Sequence, residues 1–375
     1  TSPRGCTVEK RGSLYASGPT GSHVIMSKPL RIGVVVAALF LCLFLFRNEN
    51  STGPGQNQYQ GSDSPADLPA PQEPPNLKPV PPGEKFDKWV VVTSINEPTE
   101  TMLKLASLGD WRIVVVGDRK SPPTYNLENC VFLTVEDQMA LGYRIINHLP
   151  LNHYTRKNIG YLYAIHHGAT VIYETDDDNL LVVDTIPVLP EVQTLPHIVS
   201  SLSGAVNPYP YFGQETMWPR GFPLEDVKAS LGKAGVAFNL TNPQPCKASI
   251  QQGLASNDPD VDAVFRLTRN LGVNFTTKPA VAIPRGKLAP FNSQNTLFHY
   301  RAFWALLIPV TTNFRVCDIW RGYWAQRLLW EVGARLIFTD ASVVQYRNVH
   351  DLLDDFKDEL PLYEDAGRLV TFLQN

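Results

Sequence analysis

Charged side chains and cysteines are both scarce in this sequence. Charged residues make up 18% of its 375 positions, below the roughly 25% of an average domain. The net charge is −3 and no basic stripe stands out, so nucleic acid is not an expected partner. The five cysteines never occur in a C-x-x-C spacing, which argues against a zinc site.

The main apolar run is short for a membrane span. Residues 32–46 read IGVVVAALFLCLFLF and carry no charge, whereas a spanning helix usually needs about 20 residues, with about 17 as the lower limit. Arg31 and Arg47 flank the run and can extend it by snorkelling. We predict a transmembrane signal anchor; a cleaved signal peptide and a buried core helix are the alternatives.

The charges that flank this run predict its orientation. Five basic side chains precede the run against one acidic side chain, Glu9, so residues 1–31 are expected to be a cytoplasmic tail. The remainder would be lumenal, as in a single-pass type II protein. Three N-x-S/T triplets on that side, at Asn50, Asn239 and Asn274, are candidate glycosylation sites.

The stretch after the anchor differs from everything that follows it. Residues 47–87 are rich in Pro, Gly, Ser, Asn and Gln, a composition that cannot bury apolar surface and stays extended. We predict a disordered stem that holds residues 88–375 away from the membrane. Because the chain begins with Thr1, we expect it to be a fragment. In a lumen, its three later cysteines could form one disulfide.

From position 88 onward the pattern becomes that of an α/β domain. WVVVTSI and WRIVVVGD read as buried strands, and PTETMLKLASL between them reads as a helix with Pro98 in its first turn. This order indicates a parallel sheet, in which ligands bind outside the carboxyl ends of the strands. Asn96 and Asp118 lie at such ends, although turn chemistry explains them equally well.

The next unit carries the clearest sign of chemistry. YTRKNIGYLYAIHHGA predicts a helix with Gly168 as its cap and with four residues on one face: Ile159, Leu162, Tyr163 and His166. The strand TVIYET follows and ends in Asp176, Asp177 and Asp178. Three adjacent carboxylates are favourable where a divalent cation, Mn²⁺ or Mg²⁺, neutralises them; an acidic surface turn is the alternative.

Two basic residues begin the predicted helix. Arg156 and Lys157 stand where cations oppose the helix dipole. A bound diphosphate would account for their position, and so would solvated surface charge. We list both as candidate phosphate contacts.

At this point the motifs resemble a known family. TSINEPT, VVVGDRKSP, RKNIGYLYAIHHGA, YETDDDN, MWPRGFPLEDV and CDIWRGYWAQRLLWEVGA closely resemble the STELLO proteins, Golgi glycosyltransferase-like membrane proteins. More distantly they resemble the reversibly glycosylated polypeptides, which are UDP-arabinopyranose mutases. The resemblance implies a GT-A fold, UDP-sugar chemistry with Mn²⁺, Golgi residence, and assistance to a membrane polysaccharide synthase.

The acceptor side is interpreted largely through that resemblance. Arg220 in WPRGFP matches the sugar-accepting arginine of the mutases, but the second arginine of their motif is replaced by Val227 beside Lys228. That departure weakens a mutase interpretation. Asp318 opens a predicted helix, either as its N-cap or as the general base for an acceptor hydroxyl.

Further acceptor-side candidates are weaker. The aromatic residues in NPYPYFGQETMWPRGFPL suit either a sugar face or a core: Tyr209, Tyr211, Phe212 and Trp218. The acidic residues of SNDPDVD lie near the acceptor pocket by the family match, and some suit turns: Asp258, Asp260 and Asp262. His350, after the last strand, is a loose match to a late metal-binding histidine.

The sequence therefore predicts a Golgi-membrane, metal-dependent glycosyltransferase or glycosyltransferase-like protein. Asp176 and Asp178 would bind the metal, and Asp177 the nucleotide sugar. A UDP-sugar is the expected donor and a glycan or polysaccharide the expected acceptor. Two alternatives stay open, a non-catalytic scaffold for a polysaccharide synthase and a UDP-sugar mutase.

Overall fold

Strands and helices alternate along the part of the chain that the computed structural model describes, which is residues 85–202, 204–231, 238–269, 272–347 and 351–375. The strands in these ranges are β1 (Lys88–Thr93), β2 (Arg112–Val116), β3 (Cys130–Leu133), β4 (Val171–Thr175), β5 (Asn179–Leu181), β6 (Val192–Leu195), β7 (Ile198–Ser200), β8 (Phe238–Leu240), β9 (Gln244–Lys247), β10 (Ile250–Ser256), β11 (Val281–Ala282), β12 (Asn295–His299) and β13 (Leu336–Gln345). The helices are α1 (Glu100–Ala106), α2 (Val135–Ala140), α3 (Lys157–His166), α4 (Leu224–Ser230), α5 (Ala263–Thr268), α6 (Cys317–Glu331), α7 (Leu352–Asp358) and α8 (Leu360–Gln374). Short 3₁₀ helices cover Arg144–His148, Tyr154–Arg156 and Tyr300–Leu306.

A mixed sheet organises these elements, as predicted. Its strand order is β11-β13-β10-β12-β4-β1-β2-β3, with β5 paired to β13. Strands β4, β1, β2 and β3 are mutually parallel, and so are β10 and β13, while β12 runs antiparallel to both β4 and β10. This arrangement brings the carboxyl ends of β1, β2, β4, β10 and β13 and the amino end of β12 to one edge of the sheet.

The first strands form where the continuous apolar runs predict them. β1 and β2 pair in register, with Val91 opposite Val114, and both residues are fully buried. One boundary prediction was wrong. Helix α1 begins at Glu100 with Thr99 as its N-cap, because the Thr99 hydroxyl accepts from the amide of Met102. Pro98 therefore precedes the cap instead of lying in the first turn.

Helix α3 packs directly on this parallel half of the sheet. A methyl group added at Gly160 would lie 2.6 Å from the Val91 side chain, so the glycine permits the close approach. Gly168 follows the helix with φ of +90°, as the predicted cap requires. Of the residues predicted to share one face, Ile159 and Tyr163 are buried, whereas His166 is exposed.

Helix α6 ends as predicted but begins one residue earlier. Gly333 follows it with φ of +71°. The helix starts at Cys317 with Val316 as the N-cap residue, so Asp318 lies in the first turn and the N-cap interpretation of Asp318 was wrong. Its side chain is instead free to face neighbouring elements.

Most aromatic side chains of the NPYPYFG segment belong to the core. Tyr209, Phe212 and Trp218 are buried, whereas Tyr211 is partly exposed. The Tyr209 hydroxyl donates to the Asp260 carbonyl at 2.9 Å, and Trp218 packs edge-on against Phe265. The core interpretation of this segment is the one that fits.

Several predictions fall on residues that the structure does not describe: the anchor at 32–46, most of the stem, Asn50 and His350. Among the residues that it does describe, no helix is long and apolar enough to cross a membrane. The three later cysteines, Cys130, Cys246 and Cys317, are free thiols.

Candidate functional site

A cleft of about 460 Å³ opens at the sheet edge where the strand ends meet. Parallel strands present their carboxyl ends together, so loops far apart in sequence surround one volume. Predicted site residues line the cleft from the loops after β1, β2 and β4, from the starts of α3 and α6, and from the segment before α4: Asn96, Asp118, Arg156, Asp176, Asp177, Asp178, Arg220 and Asp318. The sequence motifs thus converge on one place, with Lys157 buried beneath it.

Three consecutive carboxylates follow β4, and we call Asp176, Asp177 and Asp178 the acidic edge. All three are half-buried. The loop after β1 holds the middle one, because Ser94 Oγ donates to Asp177 Oδ2 at 2.5 Å and Asn96 Nδ2 donates to the same oxygen at 3.0 Å. Asn96, predicted at the nucleoside end, therefore contacts the acidic edge directly.

A buried cation lies beneath the acidic edge. Lys157 is fully buried, and its Nζ donates to Asp176 Oδ1 at 2.9 Å and to the Thr175 carbonyl at 2.8 Å. It also donates to the Ser293 carbonyl at 3.3 Å and to the Tyr154 hydroxyl at 2.6 Å. Tyr154 in turn donates to Asp176 Oδ1 at 2.6 Å. The ammonium offsets part of the negative charge from inside the protein.

Asp178 shows that this compensation is incomplete. Burial raises the pKa of its carboxyl to about 6, helped by the charges of Asp176 and Asp177 and opposed by a hydrogen bond from Gln345. That bond joins Gln345 Nε2 to Asp178 Oδ2 at 3.0 Å. A carboxylate whose ionised form is disfavoured would be stabilised by a divalent cation, so the donor set fits Mn²⁺ or Mg²⁺.

The number of protein side chains available as ligands limits how a metal ion could be held at the acidic edge. In the described part of the chain, no three acidic, histidine or cysteine side chains form a metal-binding group by themselves. Mg²⁺ in proteins commonly uses one or two carboxylates and completes its shell with water and phosphate oxygens. Asp176 and Asp178 would supply the carboxylates, and a bound ligand would supply the rest.

The two remaining nucleotide-end candidates differ in accessibility. Asp118 follows β2 and accepts from the amides of Arg119 at 2.7 Å and His153 at 3.4 Å. Arg156 is only 2% exposed, and its Nε donates to Gln138 Oε1 at 2.9 Å. Burial lowers the pKa of Arg156 against the opposing charge of Asp118. Its guanidinium is thus already bonded within the protein.

The opposite side of the cleft is an ion-pair wall made by Arg220, Asp260 and Asp318. Arg220 Nε and Nη2 donate to the two oxygens of Asp260 at 2.7 and 3.0 Å. Its Nη1 and Nη2 donate to the two oxygens of Asp318 at 3.1 and 2.9 Å. Asn292 adds a bond to Asp260 at 2.8 Å. One buried guanidinium therefore binds two carboxylates in bidentate fashion.

This pairing constrains what the wall can do. Burial alone would lower the pKa of Arg220, but Asp260 and Asp318 raise it well above its usual range. The guanidinium stays charged and is not a nucleophile. Both oxygens of Asp318 accept from Arg220, so Asp318 could take a proton only through its remaining lone pairs. Val227, at the missing second arginine, lies on α4.

The neighbouring acidic residues are mostly structural. Asp262 is the N-cap of α5, where it accepts from the Phe265 amide at 2.8 Å and from Trp218 Nε1 at 2.6 Å. Asp258 forms an ion pair with Arg266. Only Asp260 of the three enters the ion-pair wall.

Sequence reasoning missed several cleft residues. Ser94 could have been found, because it stands two positions before Asn96 at the same strand end. Tyr154 could also have been found, because it stands three positions before Lys157, a spacing that places these two side chains on one helical face. Nothing in the sequence around Gln345 or Phe314 indicated that they would lie at the cleft. Phe314 is 50% exposed and packs edge-on against Tyr154, with ring centroids 5.9 Å apart. Phe314 thus presents an exposed aromatic ring at the cleft, a role that the sequence allowed as one alternative for the NPYPYFG segment.

The two sequon asparagines within the described ranges, Asn239 and Asn274, are both exposed. Asn239 lies on β8, and the Asn274 carbonyl accepts from Gln214 Nε2 at 2.7 Å. Neither side chain would have to leave a core to accept a glycan.

The sheet and its cleft define a class first: an α/β domain with a polar ligand site at the carboxyl ends of its strands. Comparison with known proteins then gives the family. A family model described as STELLO glycosyltransferases matches residues 315–375. The Arabidopsis thaliana protein "Probable glycosyltransferase STELLO2" is 37% identical over 306 residues, and "Probable glycosyltransferase STELLO1" is 35% identical over 309 residues.

These matches cover 77% and 76% of this chain and 39% of each relative. The chain belongs to the STELLO family, and the resemblance that the motifs indicated is confirmed. The matched region spans about two fifths of the length of these relatives.

Proposed function

We propose that this chain is a GT-A-like, metal-dependent domain that binds a UDP-sugar at the acidic edge and transfers the sugar to a glycan or polysaccharide acceptor. The observation that supports it best is the acidic edge itself. Three half-buried carboxylates face a cleft at the end of a parallel strand, and one lysine offsets only part of their charge. The family described as glycosyltransferases gives that chemistry its context.

Within this proposal the residues divide the work along the cleft. Asn96 and Asp118 contact the nucleoside, Asp177 orients it, and Asp176 and Asp178 hold Mn²⁺ or Mg²⁺. The ion supplies Lewis-acid stabilisation of a leaving diphosphate. Lys157 fixes the position of Asp176 from below, and its burial removes it from direct contact with the ligand.

The decisive experiment is a titration of the purified full chain with UDP, with and without Mn²⁺. We expect binding that requires the metal, and its loss in Asp178→Asn, because the amide keeps the side-chain volume but removes a charged ligand oxygen. Asp184→Asn is the matched control, since Asp184 is exposed and lies outside the cleft. Equal UDP affinity in all three proteins would refute the metal assignment.

A non-catalytic role, assisting a membrane polysaccharide synthase, is the second candidate. The observation in its favour is that both oxygens of Asp318, the candidate base, accept from Arg220. If the chain is a transferase with Asp318 as its base, Asp318→Asn should still bind UDP. Its rates of sugar transfer and of donor hydrolysis should fall by about 10²–10⁴-fold. If the unmodified chain binds UDP but neither transfers nor hydrolyses any UDP-sugar, the scaffold role is favoured.

Mutase action is the least supported candidate. It would need Arg220 to attack a sugar, and a guanidinium held by two carboxylates stays protonated. We expect no radiolabel on the protein after incubation with labelled UDP-sugars. Label that disappears in Arg220→Ala would establish the mutase instead.

We propose a Golgi membrane location, with the C-terminal domain in the lumen. The predicted anchor, the basic residues before it and the exposed sequon asparagines support this topology. In a eukaryotic host, endoglycosidase treatment should increase gel mobility, and Asn239→Gln with Asn274→Gln should reduce that shift. An unglycosylated domain that proteases digest in sealed vesicles would reverse the orientation.

A further inference from the structure

Three arginines that have no role in the proposed function line one part of the cleft: Arg266, Arg315 and Arg347. Arg266 lies on helix α5, Arg315 lies two residues before α6, and Arg347 lies two residues after β13. Their side chains are only 3%, 11% and 11% exposed. We call them the arginine cluster.

Carboxylates surround the cluster but do not fully satisfy it. Arg266 pairs with Asp258, and Arg315 pairs with Glu359. Asp355 is shared, because it lies 2.9 Å from Arg347 Nη2 and 3.5 Å from Arg315 Nε.

These carboxylates equal the arginines in number, but two observations indicate that Arg315 and Arg347 are incompletely compensated. Within the described residues, the buried Nε of Arg315 has no hydrogen-bond partner. Burial, together with the charges of Arg266 and Arg315, lowers the pKa of Arg347 to about 10 against the opposing charges of Asp355 and Asp258. The three guanidinium groups therefore repel one another in the wall of the cleft.

The position of the cluster connects the two sides of the cleft. Gln345, two residues before Arg347, donates to Asp178 of the acidic edge. Arg315 follows the exposed ring of Phe314 and precedes Asp318 by three positions; its carbonyl accepts from Arg220 of the ion-pair wall. The cluster thus lines the same cleft as the acidic edge and the ring of Phe314.

We propose that the arginine cluster is a binding subsite for an oxyanion, a phosphate or carboxylate group of the ligand. Guanidinium groups bind both through paired N–H donors, and such charge-assisted bonds are about twice as strong as neutral ones. Resting on the proposed function, the group is either the diphosphate of the donor or the acid group of an acidic saccharide acceptor.

The test uses the full chain in the presence of a chelator, titrated separately with inorganic pyrophosphate and with glucuronate by calorimetry. The unmodified chain should bind at least one of them. Arg347→Gln should weaken that binding by about 10- to 100-fold. Arg347→Lys should weaken it less, because it keeps the charge but loses the planar fork. Arg368→Gln, which alters a 75% exposed side chain, should bind as the unmodified chain does.

The two probes identify the source of the oxyanion. Loss confined to pyrophosphate assigns the subsite to the donor diphosphate, and loss confined to glucuronate assigns it to an acidic sugar. If Arg347→Gln does not fold, Arg347→Lys and Arg315→Lys carry the same comparison. The proposal is overturned if the unmodified chain binds neither probe, or if folded variants bind both unchanged. Because the titration omits metal and uridine, it stands apart from the UDP experiment.

Discussion

The two sides of the cleft hold their carboxylates in opposite ways. At the acidic edge, one buried lysine contacts one of three adjacent carboxylates, and Asp178 keeps a raised pKa. In the ion-pair wall, one arginine occupies both oxygens of Asp260 and of Asp318. The first arrangement leaves negative charge to be neutralised by a ligand. The second offsets half of its negative charge internally, because one guanidinium pairs with two carboxylates.

That difference separates a binding role from a shaping role. A carboxylate whose charge is not fully paired can bind a cation. A carboxylate whose two oxygens both accept from an arginine mainly holds its loop in position. The ion-pair wall joins the segment before α4, the loop after β10 and the start of α6. It therefore determines the form of the cleft on the side where an acceptor would enter.

The largest effect should come from breaking the ion-pair wall. Arg220→Met keeps an unbranched side chain but leaves two buried carboxylates without their partner, which should lower the free energy of unfolding by about 3–5 kcal/mol. Urea denaturation at neutral pH measures it. Arg301→Met is the control, because the Arg301 side chain is 69% exposed.

The pH dependence of this loss has a defined sign. Burial would raise the pKa of Asp260, but Arg220 and Asn292 bring it below its usual value. Asp260 thus contributes stability above about pH 4, its unfolded range, and loses it as the pH falls through the lower folded pKa. The deficit of Arg220→Met should shrink in acid. A loss no greater than that of the control at neutral pH contradicts the internal pairing.

A smaller effect should follow at the acidic edge. Lys157→Met removes the buried ammonium from Asp176 and leaves the Thr175 and Ser293 carbonyls with fewer donors. We expect a loss of about 2–3 kcal/mol, since Asp176 is 29% exposed and water can replace part of the interaction. Thermal unfolding with and without Mn²⁺ is the measurement.

The response to metal distinguishes the two sides. Mn²⁺ should raise the melting temperature of Lys157→Met more than that of the unmodified chain, because the ion replaces missing positive charge. It should not rescue Arg220→Met. Lys278→Met, at an exposed position, should behave as the unmodified chain. If Mn²⁺ raised the melting temperatures of Lys157→Met and Arg220→Met equally, the two sides of the cleft would not differ in their capacity to bind a cation.

The sequence could predict the acidic edge because its signal is local. Three carboxylates follow a continuous apolar run, and the strand–helix–strand order places that run in a parallel sheet whose carboxyl ends converge. Asn96 and Asp118 were found by the same rule. The rule could not foresee that Lys157 turns inward, because burial of a lysine depends on the oxygens that surround it, and Ser293 comes from 136 positions away.

The ion-pair wall could not be predicted from spacing. Arg220 is 40 positions from Asp260 and 98 from Asp318, and nothing local marks them as partners. The family resemblance selected Arg220 and Asp318 separately, one as an acceptor of sugar and one as a base. Their mutual bonding changes both interpretations, since it keeps the arginine charged and occupies the carboxylate.

The smallest effect should come from the nucleoside end, at Asp118. Its two oxygens accept from the backbone amides of Arg119 and His153. In Asp118→Ala the buried Arg156 loses a nearby opposing charge but keeps its bond to Gln138. Stability should change by less than about 1 kcal/mol. Loss of one hydrogen bond to the nucleoside should weaken UDP binding by about 5- to 10-fold.

Uridine titration makes this prediction specific to one end of the cleft. Uridine carries no diphosphate, so Asp118→Ala should weaken uridine and UDP by the same factor, whether or not Mn²⁺ is present. Asp178→Asn should weaken UDP alone, because its carboxylate acts through the metal and the phosphates. If Asp118→Ala spares uridine while Asp178→Asn weakens it, the nucleoside lies at the other end of the cleft. The order of contacts along the acidic edge would then have to be reversed.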